Sequence, residues 1–353
     1  MKSLESSTLR DVALEAGVSI DTVSRVLNGK GKEKWPSAMR RAQEIRAIAE
    51  RLNYRPNAAA RAIRSSQTKV IGALVRNNPR DRHIHPVAYE TLLGINEGLE
   101  AAGYVLSVIR FDDVQFETEA GSRVFREHMV DGMIAMESIP QNVVERLGEL
   151  MPNCVWANTN VWTDTGCIRR DEVAVGEMVA TRLMDLGYRK LVMVGGGRAS
   201  VPHYSHMDRF TGVSRVAKRH GIAVERVQMA WSPTFNPDQF PVQLIDRSVA
   251  FIAEGTYWAH WLTHLAEGMG KTPAYHYGLA CCDESSEIRR YWPGLSRVTF
   301  DHYEMGMTAA RMLLEQISNP GKPAASVLFG GAWHAGNTAW GPDGVSGFLE
   351  ARQ

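Results

Sequence analysis

A short stretch near the N-terminus carries the side chains best suited to molecular recognition. Between Thr8 and Asn28, apolar residues recur at helical spacing in two short segments separated by Gly17. Thr8 can cap the first helix with Asp11 as its reciprocal acid, and Ser19 can cap the second. The outer face of the second helix would then present Ile20, Asp21, Ser24, Arg25 and Asn28. Because Arg can grip a guanine edge and hydroxyls or amides suit phosphates, this pattern is typical of a DNA-binding helix-turn-helix.

The elements around this stretch support the same interpretation. A third helix is predicted to open at Ser37, with one apolar face through Leu52, and to stop at Tyr54-Arg-Pro56. Residues 1–69 contain 14 Lys and Arg against 7 Asp and Glu, whereas residues 70–353 contain 26 against 32. A basic N-terminal part on a nearly neutral chain is the charge distribution expected of a DNA-binding module. The alternative is a small three-helix domain that has no role with DNA.

Residues 8–28 and 53–72 resemble the lactose-repressor (LacI/GalR) family of bacterial transcription regulators. The resemblance rests on the helix-turn-helix and on Asn53-Tyr-Arg-Pro-Asn57, Ala60-Arg-Ala-Ile63 and Ile71-Gly72, in order and at family spacing. It implies that Ile20 and Asp21 vary with operator sequence and that Arg25 reads a base edge. It further implies DNA contacts by a wider set, namely Thr8, Ser19, Thr22, Ser24, Asn28, Tyr54, Asn57, Ala60 and Ile63.

The segment from Asn57 to Arg64 matches the hinge helix of that family. A helix this short is not stable alone in water, but two copies can fold together in the minor groove of an operator. The resemblance implies that Ile63 is the apolar wedge that kinks the duplex. An ordinary Ala-rich linker helix is the alternative. Two further choices stay open: Asp21 accepts from a cytosine amine or assists the helix cap, and the basic loop Lys30–Trp35 contacts phosphates or is solvated.

Composition limits the remaining possibilities. A chain of 353 residues with 44% hydrophobic content can hold a small head and a globular body of about 280 residues. No apolar run approaches the ~18 residues of a membrane span, and the first residues lack a hydrophobic signal region. The four cysteines show no framework spacing, which predicts a reduced cytoplasmic setting. We expect no cofactor and no metal.

The body alternates strand-like and helix-like segments, which predicts doubly wound, mostly parallel sheets. Strands are expected over 70–75, 105–111, 132–136, 154–157 and 191–194, and helices over 89–102, 116–129, 142–150, 172–186 and 208–220. The family resemblance implies two such lobes, like those of periplasmic binding proteins, with a ligand cleft between them. We therefore predict a helix-turn-helix domain at 1–56, a hinge at 57–69 and a two-lobed effector-binding and dimerisation domain at 70–353.

Positions matching the effector contacts of the family are Tyr89, Asn158, Arg209, Trp231, Asp283 and Phe300. Arg209 would bind paired ligand oxygens, although an interlobe salt bridge is the alternative. Trp231 would stack on a sugar face or belong to the core. Cys282 replaces an Asn that is common in the family, which weakens the match at Asp283.

Lobe two departs from the family pattern. The segment after Asp283 is short, and a strand with its acid is expected to be missing there, while residues 233–275 are predicted to be aromatic-rich and helical. Gly195-Gly-Gly197 lacks the order of a phosphate-binding loop, and His203 and His206 are expected to be surface histidines.

The function predicted from these patterns is a sequence-specific transcription regulator. We expect a homodimeric repressor, released from operator DNA by a sugar or related metabolite. The alternative is a ligand-binding or enzymatic α/β protein with a vestigial head.

Overall fold

The computed structural model describes residues 7–27, 35–76, 86–111, 124, 127–196, 203–229 and 242–344. The chain divides into two compact units, a head of Met1–Thr68 and a body of Lys69–Gln353. Asn28, Trp231 and most of the helix predicted near 116–129 lie outside the described residues. No helix among the described residues is long and apolar enough to cross a membrane.

The head contains helices α1 to α4, which are Leu9–Ala16, Ile20–Leu27, Pro36–Arg51 and Ala58–Ser65. The predicted capping box opens α1: the amide of Asp11 donates to Thr8 Oγ1, and the amide of Thr8 donates 2.7 Å to the Asp11 carboxylate. Helix α1 ends at Gly17, whose φ of 61° is a left-handed conformation that glycine adopts without strain. Val12, Val23 and Ile45 are fully buried where α1, α2 and α3 meet.

The body consists of two lobes, each built on a sheet with six strands among the described residues. Lobe one has the sheet order β11-β5-β4-β3-β1-β2, all parallel, formed by Val70–Arg76 (β1), Val105–Phe111 (β2), Gly132–Met136 (β3), Cys154–Ala157 (β4), Cys167–Arg170 (β5) and Val327–Phe329 (β11). Lobe two has the order β12-β10-β9-β8-β6-β7, formed by Lys190–Gly196 (β6), Val224–Met229 (β7), Val249–Ala253 (β8), Gly278–Cys281 (β9), Ser296–Thr299 (β10) and Ala332–His334 (β12). Only β12 among these strands runs antiparallel to its neighbour. The prediction of doubly wound parallel sheets is confirmed.

Helices cover both sheets. They are Pro86–Glu100 (α5), Gln141–Leu150 (α6), Glu172–Asp185 (α7), Tyr204–Arg219 (α8), Thr256–Glu267 (α9), Ser286–Tyr291 (α10) and His302–Ser318 (α11). Helices α5 and α11 pack in lobe one, whereas α7 and α8 pack in lobe two. The chain therefore crosses between the lobes three times: after β5, after β10 and between β11 and β12.

Two glycines bring α7 and α8 into backbone contact. A Cβ atom at Gly176 would overlap the carbonyl oxygen of Arg209, and one at Gly212 would overlap that of Val173. Glycine at these positions lets the helices approach closely enough for Glu172, at the start of α7, to reach Arg209 in α8.

Lobe two differs from the sequence-based expectation in two respects. Residues 233–275 are not a continuous helical stretch, because β8 occupies Val249–Ala253 with every residue buried. A five-residue apolar run buried on both faces is typical of a central parallel strand, and its short length leaves helix and strand indistinguishable by periodicity. The expectation that a strand is missing after Asp283 is wrong, because the short segment there holds α10 and β10. Strand β10 pairs directly with β9, and β12 adds the edge strand, so the lobe-two sheet has as many described strands as that of lobe one.

Candidate DNA-binding surface and interlobe cluster

Helix α2 presents the polar face that the sequence predicts. Val23 and Val26 are buried, whereas Ile20, Asp21 and Arg25 are exposed. Ser19 caps the helix by accepting a hydrogen bond from the amide of Thr22 (3.3 Å). Among the described residues, the Arg25 guanidinium has no hydrogen-bond or ion-pair partner, so it remains available for a base edge.

The other predicted DNA contacts divide into two groups. Thr8 and Tyr54 are used within the head, because Thr8 belongs to the capping box and Tyr54 packs on the core. Asn57 caps α4 by accepting from the amide of Ala60 (3.2 Å). Ile63 on the same helix is 84% exposed. A large apolar side chain left in water on a short helix is suited to a partner outside the head.

Asp21 lies in the first turn of α2, where a carboxylate is favoured by the helix dipole. Among the described residues it forms no hydrogen bond to the backbone, so the cap belongs to Ser19 alone. Of the loop Lys30–Trp35 the structure describes only Trp35, which is exposed.

In the body, four buried charged side chains meet where the lobes join. Arg170 ends β5 of lobe one, and Glu172, Arg209 and Asp283 belong to lobe two. Arg170 binds Glu172 at 2.7 Å and Asp283 at 2.6 Å. Arg209 grips both carboxylate oxygens of Glu172, at 2.6 and 2.8 Å, and lies 3.2 Å from Asp283. We call these four residues the interlobe cluster. Its two positive and two negative charges cancel.

Electrostatics in the interlobe cluster favour the charged forms of Asp283 and Arg209. Burial raises the pKa of Asp283, but Arg170, His302 and Arg209 outweigh it and hold this pKa well below its ordinary value. Burial lowers the pKa of Arg209, yet Glu172 and Asp283 more than compensate and raise it. The Nε of Arg170 is buried and has no hydrogen-bond partner among the described residues, so the cluster retains an unused donor.

A second group of charges borders the interlobe cluster. Glu254 follows β8 and accepts from His206 (2.6 Å) and Arg226 (3.1 Å), while its carbonyl oxygen accepts from Arg209. A Cβ at Gly195 would overlap the Glu254 carboxyl group, which explains the glycine near the end of β6. Burial raises the pKa of Glu254, but His206 and Arg226 lower it further, so the carboxyl is ionised.

The predicted effector residues are found in different surroundings. Arg209 and Asp283 belong to the interlobe cluster, and the buried Phe300 ring lies 5.1 Å from the Arg170 guanidinium. Asn158, directly after β4, accepts a hydrogen bond from Tyr204 of lobe two (2.8 Å). Tyr89 is instead 54% exposed on α5.

Sequence reasoning missed several residues of this region. Arg170, Glu172 and Glu254 are polar side chains at strand or helix ends, and only that position could have suggested them. His203, expected on the surface, is half-buried and its ring bonds the carbonyl oxygen of Asn158 at 2.8 Å. No group of His, Cys, Asp and Glu within the described ranges has the arrangement of a metal site.

The vicinal cysteines add no reactive group to this region. All four cysteines of the chain are free, and Cys281 and Cys282 are buried. Burial raises the pKa of Cys281 to about 12 and that of Cys282 well above its ordinary value. Both thiols therefore stay protonated and are poor nucleophiles.

Comparison with known proteins agrees with this arrangement. Residues 8–57 match the profile of bacterial regulatory proteins of the lacI family, and residues 180–338 match a periplasmic binding protein-like domain. The chain therefore combines a helix-turn-helix domain of the lacI family of bacterial regulatory proteins with a periplasmic-binding-protein-like domain. Its head is the DNA-binding helix-turn-helix of that family.

Among curated relatives, the transcriptional repressor PurR of Photobacterium profundum is 29% identical over 325 residues, covering 89% of this chain and 92% of PurR. The maltose regulon regulatory protein MalI of Escherichia coli is 28% identical over 204 residues, covering 57% of each chain. The aligned part thus spans little more than half the length of MalI. These relatives are transcription regulators.

Among solved structures, the lac repressor dimer bound to operator and the anti-inducer ONPF superposes with a TM-score of 0.78 at 19% identity. The match covers 95% of this chain and 99% of that one. The similarity shows that this chain shares the lac repressor fold.

Proposed function

We propose that this lacI-family protein is a transcription repressor whose hold on operator DNA is controlled by a small molecule bound between the lobes of its body. The observation that carries the proposal is the exposed face of α2, where Arg25 has no partner among the described residues. A buried apolar face fixes this helix on the head, so its outer side chains are positioned to read base edges.

We propose the division of labour that the sequence predicts. Residues 1–56 bind the operator, residues 57–69 form the hinge, and residues 70–353 bind effector and dimerise. Support for the hinge comes from α4, which is capped by Asn57 and presents Ile63 to solvent. Support for a dimer comes from the lac repressor, which is seen as a dimer on its operator. Two copies of α4 could then bind one minor groove.

The proposed effector is a sugar or a related metabolite. MalI, a relative, is named for the maltose regulon, and the body shares the binding-protein architecture. In open α/β sheets ligands bind at the carboxyl ends of strands, and Asn158, Arg170 and Asp283 all lie at such ends. We further propose that the body binds this ligand without transforming it, and that the protein works in the cytoplasm beside its DNA.

The test begins with selection of binding sites from a randomised duplex pool by the full chain. Arg25→Ala should weaken binding to the selected site by about one to two orders of magnitude, because each bidentate base contact contributes roughly 1–3 kcal/mol. Arg41→Ala is the matched control, since Arg41 is exposed on α3 and pairs only with Glu44 among the described residues. Failure of the wild-type chain to enrich any sequence, or equal binding by both variants, would contradict the proposal.

A further inference from the structure

The start of α8 in lobe two reaches across to lobe one. The Tyr204 hydroxyl donates to Asn158 Oδ1 at 2.8 Å and accepts from the amide of Arg170 at 3.0 Å. The Tyr204 amide donates to Asn160 Oδ1 at 3.0 Å. His203 Nε2 lies 2.8 Å from the carbonyl oxygen of Asn158. Four hydrogen bonds from two adjacent residues therefore join the lobes.

The Tyr204 hydroxyl bonds two groups that lie where a ligand would bind. Asn158 directly follows β4, and Arg170 is the last residue of β5, so both lie at the carboxyl edge of the lobe-one sheet. Ligands of open α/β sheets bind at this edge. A ligand hydroxyl placed there would donate to the Asn158 amide oxygen and accept from the Arg170 amide. Tyr204 already makes both bonds.

The Tyr204 ring is also held in place. The guanidinium of Arg169 lies 4.2 Å from the centre of this ring and 5.6 Å from that of Trp162. Arg169 is itself fixed, because its Nε donates 2.8 Å to the carbonyl oxygen of the buried Thr159. A cation stacked on an aromatic face contributes about 0.5–1 kcal/mol at a partly exposed site.

His203 can make its bonds in only one protonation state. The Asn158 carbonyl can only accept, so Nε2 carries the proton. Nδ1 must then accept from the Ser205 hydroxyl, 2.8 Å away, and from the Ser205 amide. Burial of the ring, together with Arg170, lowers the pKa of His203 to about 3, so the ring is neutral at physiological pH.

We propose that His203 and Tyr204 form an interlobe latch, and that an effector hydroxyl binds at the ends of β4 and β5 only by displacing the Tyr204 hydroxyl. This inference rests on the proposed function and adds how the lobe angle and ligand binding are coupled. A ligand and the latch compete for the same two groups, so ligand binding favours the conformation in which the latch is open. Differential affinity of this kind is what shifts a two-state equilibrium.

The latch can be tested on the full chain without effector or DNA. Spin labels at Asn142→Cys on α6 and Lys218→Cys on α8, both exposed positions in different lobes, report the interlobe distance by pulsed electron resonance. The chain without these substitutions is the labelling blank, since its four cysteines are buried or half-buried. Tyr204→Phe removes both hydroxyl bonds and should raise the ratio of open to closed molecules roughly tenfold. Asn160→Ala removes the bond to the Tyr204 amide at an exposed loop position and should raise this ratio about threefold.

Tyr188→Phe is the control for a lost buried hydroxyl. The Tyr188 hydroxyl accepts from the amide of Gly341 (3.1 Å) inside lobe two, so this variant should keep the wild-type distance distribution. A wild-type distribution in both folded latch variants, or the same broadening in all three, would overturn the latch. Operator selection plays no part in this measurement, so failure of the latch and failure of the proposed function are distinguished.

Discussion

Replacing Arg209 should reveal how strongly the interlobe cluster holds the body together. Arg209 is 3% exposed, and its side chain bonds two carboxylates and a carbonyl oxygen. Arg209→Met keeps most of the apolar stem but leaves Glu172 and Asp283 sharing the guanidinium of Arg170. Removing one partner of a buried ion pair costs about 3–5 kcal/mol, because the excess charge stays buried.

The assay is urea unfolding of the full chain followed by tryptophan fluorescence. We expect Arg209→Met to lower the free energy of unfolding of the body by about 4 kcal/mol, a large part of the roughly 5–15 kcal/mol typical of folded proteins. Arg215→Met is the matched control on the same helix. Arg215 pairs with Glu177 at 3.5 Å but its side chain is 59% exposed, so the loss should be about 0.5 kcal/mol or less.

A second substitution tests the charge argument itself. Glu172→Gln combined with Arg209→Met removes one anion with one cation, so the double variant should lose less stability than the sum of the single variants. The reasoning is wrong if the stability losses of Arg209→Met and Arg215→Met differ by less than about 1 kcal/mol, or if the losses of the two cluster substitutions are additive.

Three further outcomes are expected. Ile63→Ala should weaken binding to the selected operator without changing the melting temperature, because Ile63 is 84% exposed. Gel-shift titration measures the affinity and calorimetry the melting temperature; an unchanged affinity would contradict the role of Ile63 as the hinge wedge. Thr8→Ala should destabilise the head by about 1 kcal/mol through loss of the α1 cap, visible in thermal unfolding followed by circular dichroism; unchanged unfolding would contradict the cap. The pKa of His203 falls from 6.5 in the unfolded chain to about 3 in the folded chain, so between pH 6.5 and 5 the unfolded chain takes up a proton that the folded chain does not. Lowering the pH over this range should therefore reduce the free energy of unfolding of the body by up to about 2 kcal/mol. The stability of His203→Gln should fall less over that pH range than the stability of the wild type. An equal fall would contradict the assignment of this pH dependence to His203.

Local features of the fold were predictable because their causes lie close together in sequence. The capping box needs only Thr8 and Asp11, three residues apart, and the turn after α1 needs only Gly17. The strands of lobe one are short apolar runs between helical patterns, so their order along the chain fixed the sheet type. Strand β8 escaped prediction because five apolar residues fit a helix or a strand equally well.

The interlobe cluster could be predicted only in part, because its members are distant in sequence. Arg170 and Asp283 are separated by 113 residues, and no periodicity joins them. The family resemblance marked Arg209 and Asp283, but the partners Arg170 and Glu172 carried no signal beyond their place at element ends. The bonds between Tyr204 and Asn158 likewise depend on how two lobes meet, which no local pattern encodes.

The three crossings between the lobes have a consequence for synthesis. Lobe one needs α11 and β11, so its fold cannot be completed until about residue 329 has left the ribosome. The head ends near residue 68, and at about 5–20 residues per second the interval between the two events is roughly 13–50 s. Throughout this interval a finished head is attached to a body that has no complete first lobe. Each newly made molecule thus has a complete head well before the first lobe of its body can fold.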